Sequence, residues 1–246
     1  MKAGLFIPCF IDQFFPDTGF NMIRVLNKAN EISRNKMQFL YNPEQTCCGQ
    51  VAFNSGFNDE AKHLGEKFIR DFTGYDYVVG PSASCIGMVK NYYTQMFYNS
   101  TLHNENNMLA KKIYEFTDFL VNVMGVEDLG GTYAAKITYH DSCAALREYG
   151  LTDQPRRLLA HIRDLEFTEM QQSDVCCGFG GTFAIKHEAI STAMAEQKVQ
   201  HAVDTGAAYI VSTDSSCLMH LEGFIKKHKI ALKTMHIADL LANSIQ

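Results

Sequence analysis

The chain of 246 residues has no apolar run near the ~20 residues that a membrane-spanning helix requires. Its opening stretch, Met1 to Cys9, is too short in apolar residues for an export signal. It has no surplus of positive charge: 22 Lys and Arg against 27 Asp and Glu leave a net charge of −5. That argues against a nucleic-acid binder relying on a general positive field. There is no P-loop, no Ser-His-Asp arrangement and no GxGxxG fingerprint; the turn Gly178-Phe179-Gly180-Gly181 has neither the spacing nor the later acidic residue of one. Nor do any two cysteines show the Cys-x₂₋₄-Cys spacing usual in zinc sites. Charged residues make up only 20% and hydrophobic ones 46%, enough for a real core. The chain reads as cytoplasmic, where thiols stay reduced and clustered cysteines serve metal or redox chemistry.

Cysteine is what stands out. Thr46-Cys47-Cys48-Gly49-Gln50 and Val175-Cys176-Cys177-Gly178-Phe179 each pair two adjacent cysteines, with a lone cysteine well before and another well after. The sets are Cys9, Cys47, Cys48, Cys85 and Cys143, Cys176, Cys177, Cys217, and they use all 8 cysteines. Matching members are 134, 129, 129 and 132 residues apart. This is an internal duplication of a set of four thiols. Four disulfides are a poor account of it, because a ring between neighbours such as Cys47 and Cys48 is strained and a chain of this size needs no staples. Inert buried cysteine does not explain the same pattern occurring twice. Four thiolates suit an iron–sulfur cluster or a zinc ion.

Strand-like runs alternate with amphipathic helices in both parts, predicting an α/β fold of βαβ units, mostly parallel sheets and two similar Rossmann-like halves about a pseudo-two-fold. The first half is expected over 1–126 and the second over 133–246, joined by a linker around Gly130-Gly131. Strands are expected at 2–8, 37–41, 75–79, 136–139, 165–170 and 208–212. Helices are expected at 22–32, 59–72, 107–124 (one long helix stopped by Gly125), 154–162, 187–205, 218–227 and 237–242, with another beginning at Ile86. The cysteines then fall at or just after strand ends, where parallel sheets build ligand crevices. Several also precede a helix, whose N-terminus stabilises thiolates. Gly49 and Gly178 can supply the turn that adjacent cysteines need to converge.

Spacing and sequence together resemble the cysteine-rich CCG domain, which occurs twice in the cysteine-rich subunit of heterodisulfide reductases and in related iron–sulfur subunits that oxidise glycolate, glycerol-3-phosphate and lactate. Cys-Cys-Gly sits between cysteines 38 residues earlier and 37 later in the first half, and 33 and 40 in the second. Phe6-Ile7-Pro8-Cys9-Phe10, Cys176-Cys177-Gly178-Phe179-Gly180-Gly181 and 212–220 look most like the short, free-standing, lactate-oxidising members. The glycolate and glycerol-3-phosphate subunits usually carry a Cys-x-x-Cys-x-x-Cys module that is absent here. The resemblance implies a redox subunit of an oxidoreductase complex converting L-lactate to pyruvate. It implies a cluster in each half, [4Fe–4S] by ligand count. Its partners would be a ferredoxin-like iron–sulfur protein and a third subunit. In heterodisulfide reductase each motif ends in Cys-x-x-Cys and holds a five-thiolate cluster. Here the fifth position is Ser82 in one half and Asp214 in the other. Asp214 offers an oxygen ligand in its place and Ser82 a weaker one, and thiol–disulfide chemistry becomes the lesser expectation. A zinc-stapled interaction protein, with zinc in one or both sites, is the other alternative.

Around the second set lie His140, His187 and His220. Their bland role is hydrogen bonding near a polar loop; the sharper one is ligation, or proton handling by a His140-Asp141 pair. Arg147, Arg156 and Arg157 offer an anion site, with a solvated helix face as the default. The stretch Tyr92-Tyr93, Met96-Phe97-Tyr98 and Met108 is expected to be mostly core, with any exposed part suited to docking. The sequence alone designates no catalytic residue.

Overall fold

The computed structural model describes residues 1–245. Each half is a four-stranded, wholly parallel sheet. In the first, β1 (Lys2–Leu5), β2 (Gln38–Tyr41), β3 (Tyr77–Gly80) and β4 (Ile113–Glu115) lie in the order β2-β1-β3-β4. In the second, β5 (Thr132–Tyr139), β6 (Arg163–Phe167), β7 (Tyr209–Ser212) and β8 (Lys233–His236) lie in the order β6-β5-β7-β8. The orders are the same, with Gly4 opposite Val78 and Thr138 opposite Ile210 at the central pairs. The central strands are apolar on both faces, as in Val78-Val79 and Ile210-Val211, because helices cover both sides of a parallel sheet. Strand order reverses between β1 and β3, and between β5 and β7. These are the switch points where such sheets leave a crevice.

The halves meet reciprocally. Helix Cys9–Phe14, after β1, touches helix Ser215–His228, after β7; helix Ala83–Gly87, after β3, packs on the helical segment Ala144–Tyr149, after β5. Likewise helix Pro16–Ile32 packs on the last helix, Ile237–Ser244, and helix Gln154–Ala160 on the turn Phe116–Asp118. Exchanging halves maps each contact onto its mate, as expected of a two-fold relation. Thr18 Oγ1 and Asn21 Nδ2 each donate to an Asp239 carboxylate oxygen at 2.9 Å, and Arg24 Nη2 donates to the Ala242 carbonyl at 3.1 Å. One apolar core joins Leu5, Val25, Leu26 and Val79 to Ile137, Val211, Leu240 and Leu241. Among the described residues no helix is long and apolar enough to cross a membrane.

Three expectations are corrected. Residues 107–124 do not form one helix: helix His103–Ala110 ends, β4 follows, and short helical turns run from Phe116 to Val123. Leu109, Ile113, Phe116 and Leu120, all fully buried, imitate a helical stripe although a three-residue strand interrupts it. Lys112 ties the segment to the sheet edge, its Nζ donating to the Thr73 and Tyr75 carbonyls. Second, β8 separates the closing helices. Third, the helix expected from Met22 begins at Pro16, where a missing N–H costs nothing, and the short helix Cys9–Phe14 precedes it.

Candidate metal centre

All four cysteines of each set converge beyond the C-terminal ends of their sheet. Cys9 opens the helix after β1, Cys47 and Cys48 follow β2, and Cys85 lies in the helix after β3. Cys143 follows β5, Cys176 and Cys177 follow β6, and Cys217 lies in the first turn of the helix after β7. Cys48, Cys85, Cys177 and Cys217 are buried, Cys47, Cys143 and Cys176 are partly covered, and Cys9 is exposed. None is in a disulfide.

The adjacent pairs depend on the glycine behind them. Gly49 has φ +82° and Gly178 φ +93°, in the left-handed region that costs other residues strain. A Cβ on Gly178 would lie 2.6 Å from the Ser191 carbonyl oxygen, and one on Gly49 3.1 Å from that of Ala61. The same turn aims each glycine N–H at the first sulfur of its pair: Gly49 N to Cys47 Sγ, and Gly178 N to Cys176 Sγ, both at 3.4 Å. The loops are braced from behind. Tyr93 donates to the Cys48 carbonyl at 2.8 Å, and Ser191 Oγ donates to the Gly178 carbonyl at 2.7 Å. The buried ammonium of Lys198 donates to the Gln172 and Ser173 carbonyls, ahead of Cys176.

Within each set the thiols share protons unevenly. Cys47 is drawn down to about 3 by hydrogen bonds from Cys48 and Cys9. Cys176 falls to about 2, with Cys143, 3.8 Å away, and then Cys177 donating to it. Cys217 falls to about 6 through donation from Cys177, with the nearby His140 ring adding to the fall. Cys9, Cys48, Cys143 and Cys177 rise, since each gives its hydrogen to a neighbouring sulfur and is also desolvated. Convergent sulfurs already contending for protons are a donor set that a soft cation would deprotonate together.

The two sites adjoin. Both cavities are lined by Gln50 and Ser84 of the first half and by Phe179, Asp214 and Ser216 of the second. Asp214, fully buried, is the hinge between them. Its carboxylate accepts from Ser84 N at 3.1 Å, Ser84 Oγ at 3.0 Å, Ser142 Oγ at 3.0 Å and Ser216 Oγ at 3.2 Å. Those bonds turn it toward serines of both halves, and Ser82 Oγ sits 3.3 Å from Ser84 Oγ. Sequence reasoning missed Ser84, Ser142 and Ser216, although a signal was there: Ser84 and Ser216 each immediately precede the last cysteine of a set.

The other singled-out side chains divide. His220 Nε2 lies 3.2 Å from Ser191 Oγ and so supports the Gly178 turn. His187 precedes helix Glu188–Asp204 and its ring packs on Phe183. Asp141 does not pair with His140: it takes a bidentate bond from Arg156 at 2.8 Å to each oxygen. Arg156 also pairs with Glu169, Arg157 pairs with Glu127, and Arg147 donates to the Asp174 carbonyl. His140 differs from all of these. It is fully buried, and neither ring nitrogen has a nitrogen or oxygen partner. One ring nitrogen and the sulfurs of Cys177 and Cys217 lie within 4.8 Å of one another. Of the aromatic stretch, Tyr93 and Phe97 are core while Tyr98 and Met108 are exposed.

Two convergent four-thiol sites built by a repeated fold define a class, and comparison with known proteins agrees. A family model described as "Cysteine-rich domain" matches twice, over residues 3–90 and 137–222, and the chain belongs to that family. It is 40% identical over 241 residues to "Lactate utilization protein A" of Oceanobacillus iheyensis, covering 98% of this chain and 96% of that one. It is 36% identical over 246 residues to "Lactate utilization protein A 2" of Bacillus cereus strain AH820, covering 100% and 99%. Among solved structures, a hypothetical protein from Helicobacter pylori is similar in fold, with a TM-score of 0.53 at 11% identity. The match covers 99% of this chain but spans only 49% of that one.

Proposed function

We propose that this protein is an iron–sulfur subunit of a system that oxidises L-lactate to pyruvate, each half holding a cluster, [4Fe–4S] by ligand count. Cys9, Cys47, Cys48 and Cys85 would hold one, and Cys143, Cys176, Cys177 and Cys217 the other. The observation that carries the reading is the pair of adjoining four-thiol sites; the full-length similarity to lactate utilization proteins A supplies the substrate. Such clusters supply one-electron transfer. The rest is the chain's own work. The Gly49 and Gly178 amides stabilise charge on Cys47 and Cys176. Asp214 and its serines fix the halves against each other and thus the separation of the sites. Phe10 and Phe179, with ring centroids 6.1 Å apart, meet across the halves and line the first cavity.

Arg156 and Arg157 are occupied by internal carboxylates and Arg147 donates to the Asp174 carbonyl, so neither Arg156 nor Arg157 is free to clamp a lactate carboxylate. Substrate oxidation is therefore assigned to partners, a ferredoxin-like iron–sulfur protein and a third subunit, with this chain passing electrons. Replacing Cys48 or Cys177 with serine is expected to remove the iron of its own half, about half the total, and to stop lactate-dependent growth. Full iron content and normal growth in both variants would sink the proposal.

A further inference from the structure

His140 and Phe6 hold equivalent places: each follows the first strand of its half and stands three residues before the first cysteine of its set. Phe6 belongs to the apolar cluster that includes Cys48 and Cys85, and packs edge-on against Phe68 at 4.8 Å. The first site therefore has carbon where the second has imidazole. The sheet fixes the His140 backbone, with its N–H donating to the Val211 carbonyl at 2.9 Å. Its ring is fully buried and neither nitrogen has a nitrogen or oxygen partner, so the sulfur of Cys217 is the polar group it is directed toward. Serine engages His220 and Arg156 engages Asp141, so neither of those side chains satisfies His140. What it does face is Cys177 and Cys217, at spacings compatible with a shared metal.

We infer that His140 is a nitrogen ligand of the metal centre in the second half, alongside Cys177 and Cys217, while the first half has an all-sulfur centre. This rests on the iron–sulfur reading above. The two centres are then unequal by construction. Four irons take four terminal ligands, so the imidazole stands in for one of the four thiolates there; being neutral it leaves the cluster less negative, and the second centre has the higher reduction potential. Electrons entering the chain come to rest in the second half.

Pulsed electron paramagnetic resonance of the anaerobically purified, reduced protein tests this, with iron and sulfide measured on the same sample. A strongly coupled ¹⁴N is expected in the wild type and in Cys48→Ser, and should vanish in Cys177→Ser and His140→Phe. His140→Cys, which keeps a ligand should His140→Phe fail to fold, is expected to retain its iron, lose the nitrogen coupling and lower the potential of the second centre. A reduced-cluster signal in the wild type without strongly coupled nitrogen overturns the assignment and leaves the iron–sulfur reading standing. Absence of sulfide from the wild type removes both.

Discussion

Single residues decide whether the thiols converge. Gly178 has a positive φ and no room for a Cβ beside the Ser191 carbonyl. Gly178→Ala is expected to cost about 1–3 kcal/mol and to shift the Cys176-Cys177 turn; a fall in melting temperature with loss of metal from the second half alone would show it, and an unchanged melt would contradict the strain argument. The turn was legible, because Cys-Cys-Gly occurs twice. The hydrogen bonds of Asp214 were not: its position in the motif offers an oxygen ligand, and only the fold brings Ser84 and Ser142 onto it from far along the chain. Glu115 was equally hidden. Burial raises its carboxyl to about 8, against hydrogen bonds from Thr117 and the Asp118 amide that favour the charged form. A carboxyl raised by folding contributes stability that is complete below its unfolded value, near 4.5, and is lost as pH rises through about 8. Glu115→Gln is therefore expected to flatten the decline in stability between about pH 5 and about pH 8, read by chemical denaturation across that range; an unaltered slope would argue that Glu115 is already ionised in the fold.

At the scale of elements, the duplicated order of strands and cysteines could be read directly, because central parallel strands are continuous apolar runs and the sulfurs follow their ends. The short edge strands could not. β4 has only three residues, and its apolar neighbours fall at helical spacing. β8 has no buried alternation to mark it and packs against helix Ser215–His228. The edge strand carries the return of the chain: Lys112, just before β4, donates to the Thr73 and Tyr75 carbonyls. Lys112→Met is expected to keep the packing of the stem but to leave those carbonyls without their donor. Faster amide exchange in β4 and β3, with the second sheet unaffected, is the result that would confirm this local role.

The whole molecule is knit across its two-fold. Sequence analysis expects halves at 1–126 and 133–246, and the largest core draws on residues of both stretches. Helix Ile237–Ser244 covers helix Pro16–Ile32 of the other half. Leu241→Ala, at a buried position of that seam, is expected to cost about 2–5 kcal/mol. It should lower a single calorimetric transition for the whole chain. Two separate transitions, with only one displaced, would mean the halves are independent. On the proposed function such a joint would also hold the separation of the two adjoining sites.

The central claim is that each half holds an iron–sulfur cluster at its four-cysteine site. Iron, acid-labile sulfide and zinc per chain, measured on protein purified without oxygen and accompanied by a visible spectrum, test it most directly. The account predicts about eight iron and about eight sulfide in a brown protein. About one or two zinc, no sulfide and no colour would contradict it and make the sites structural.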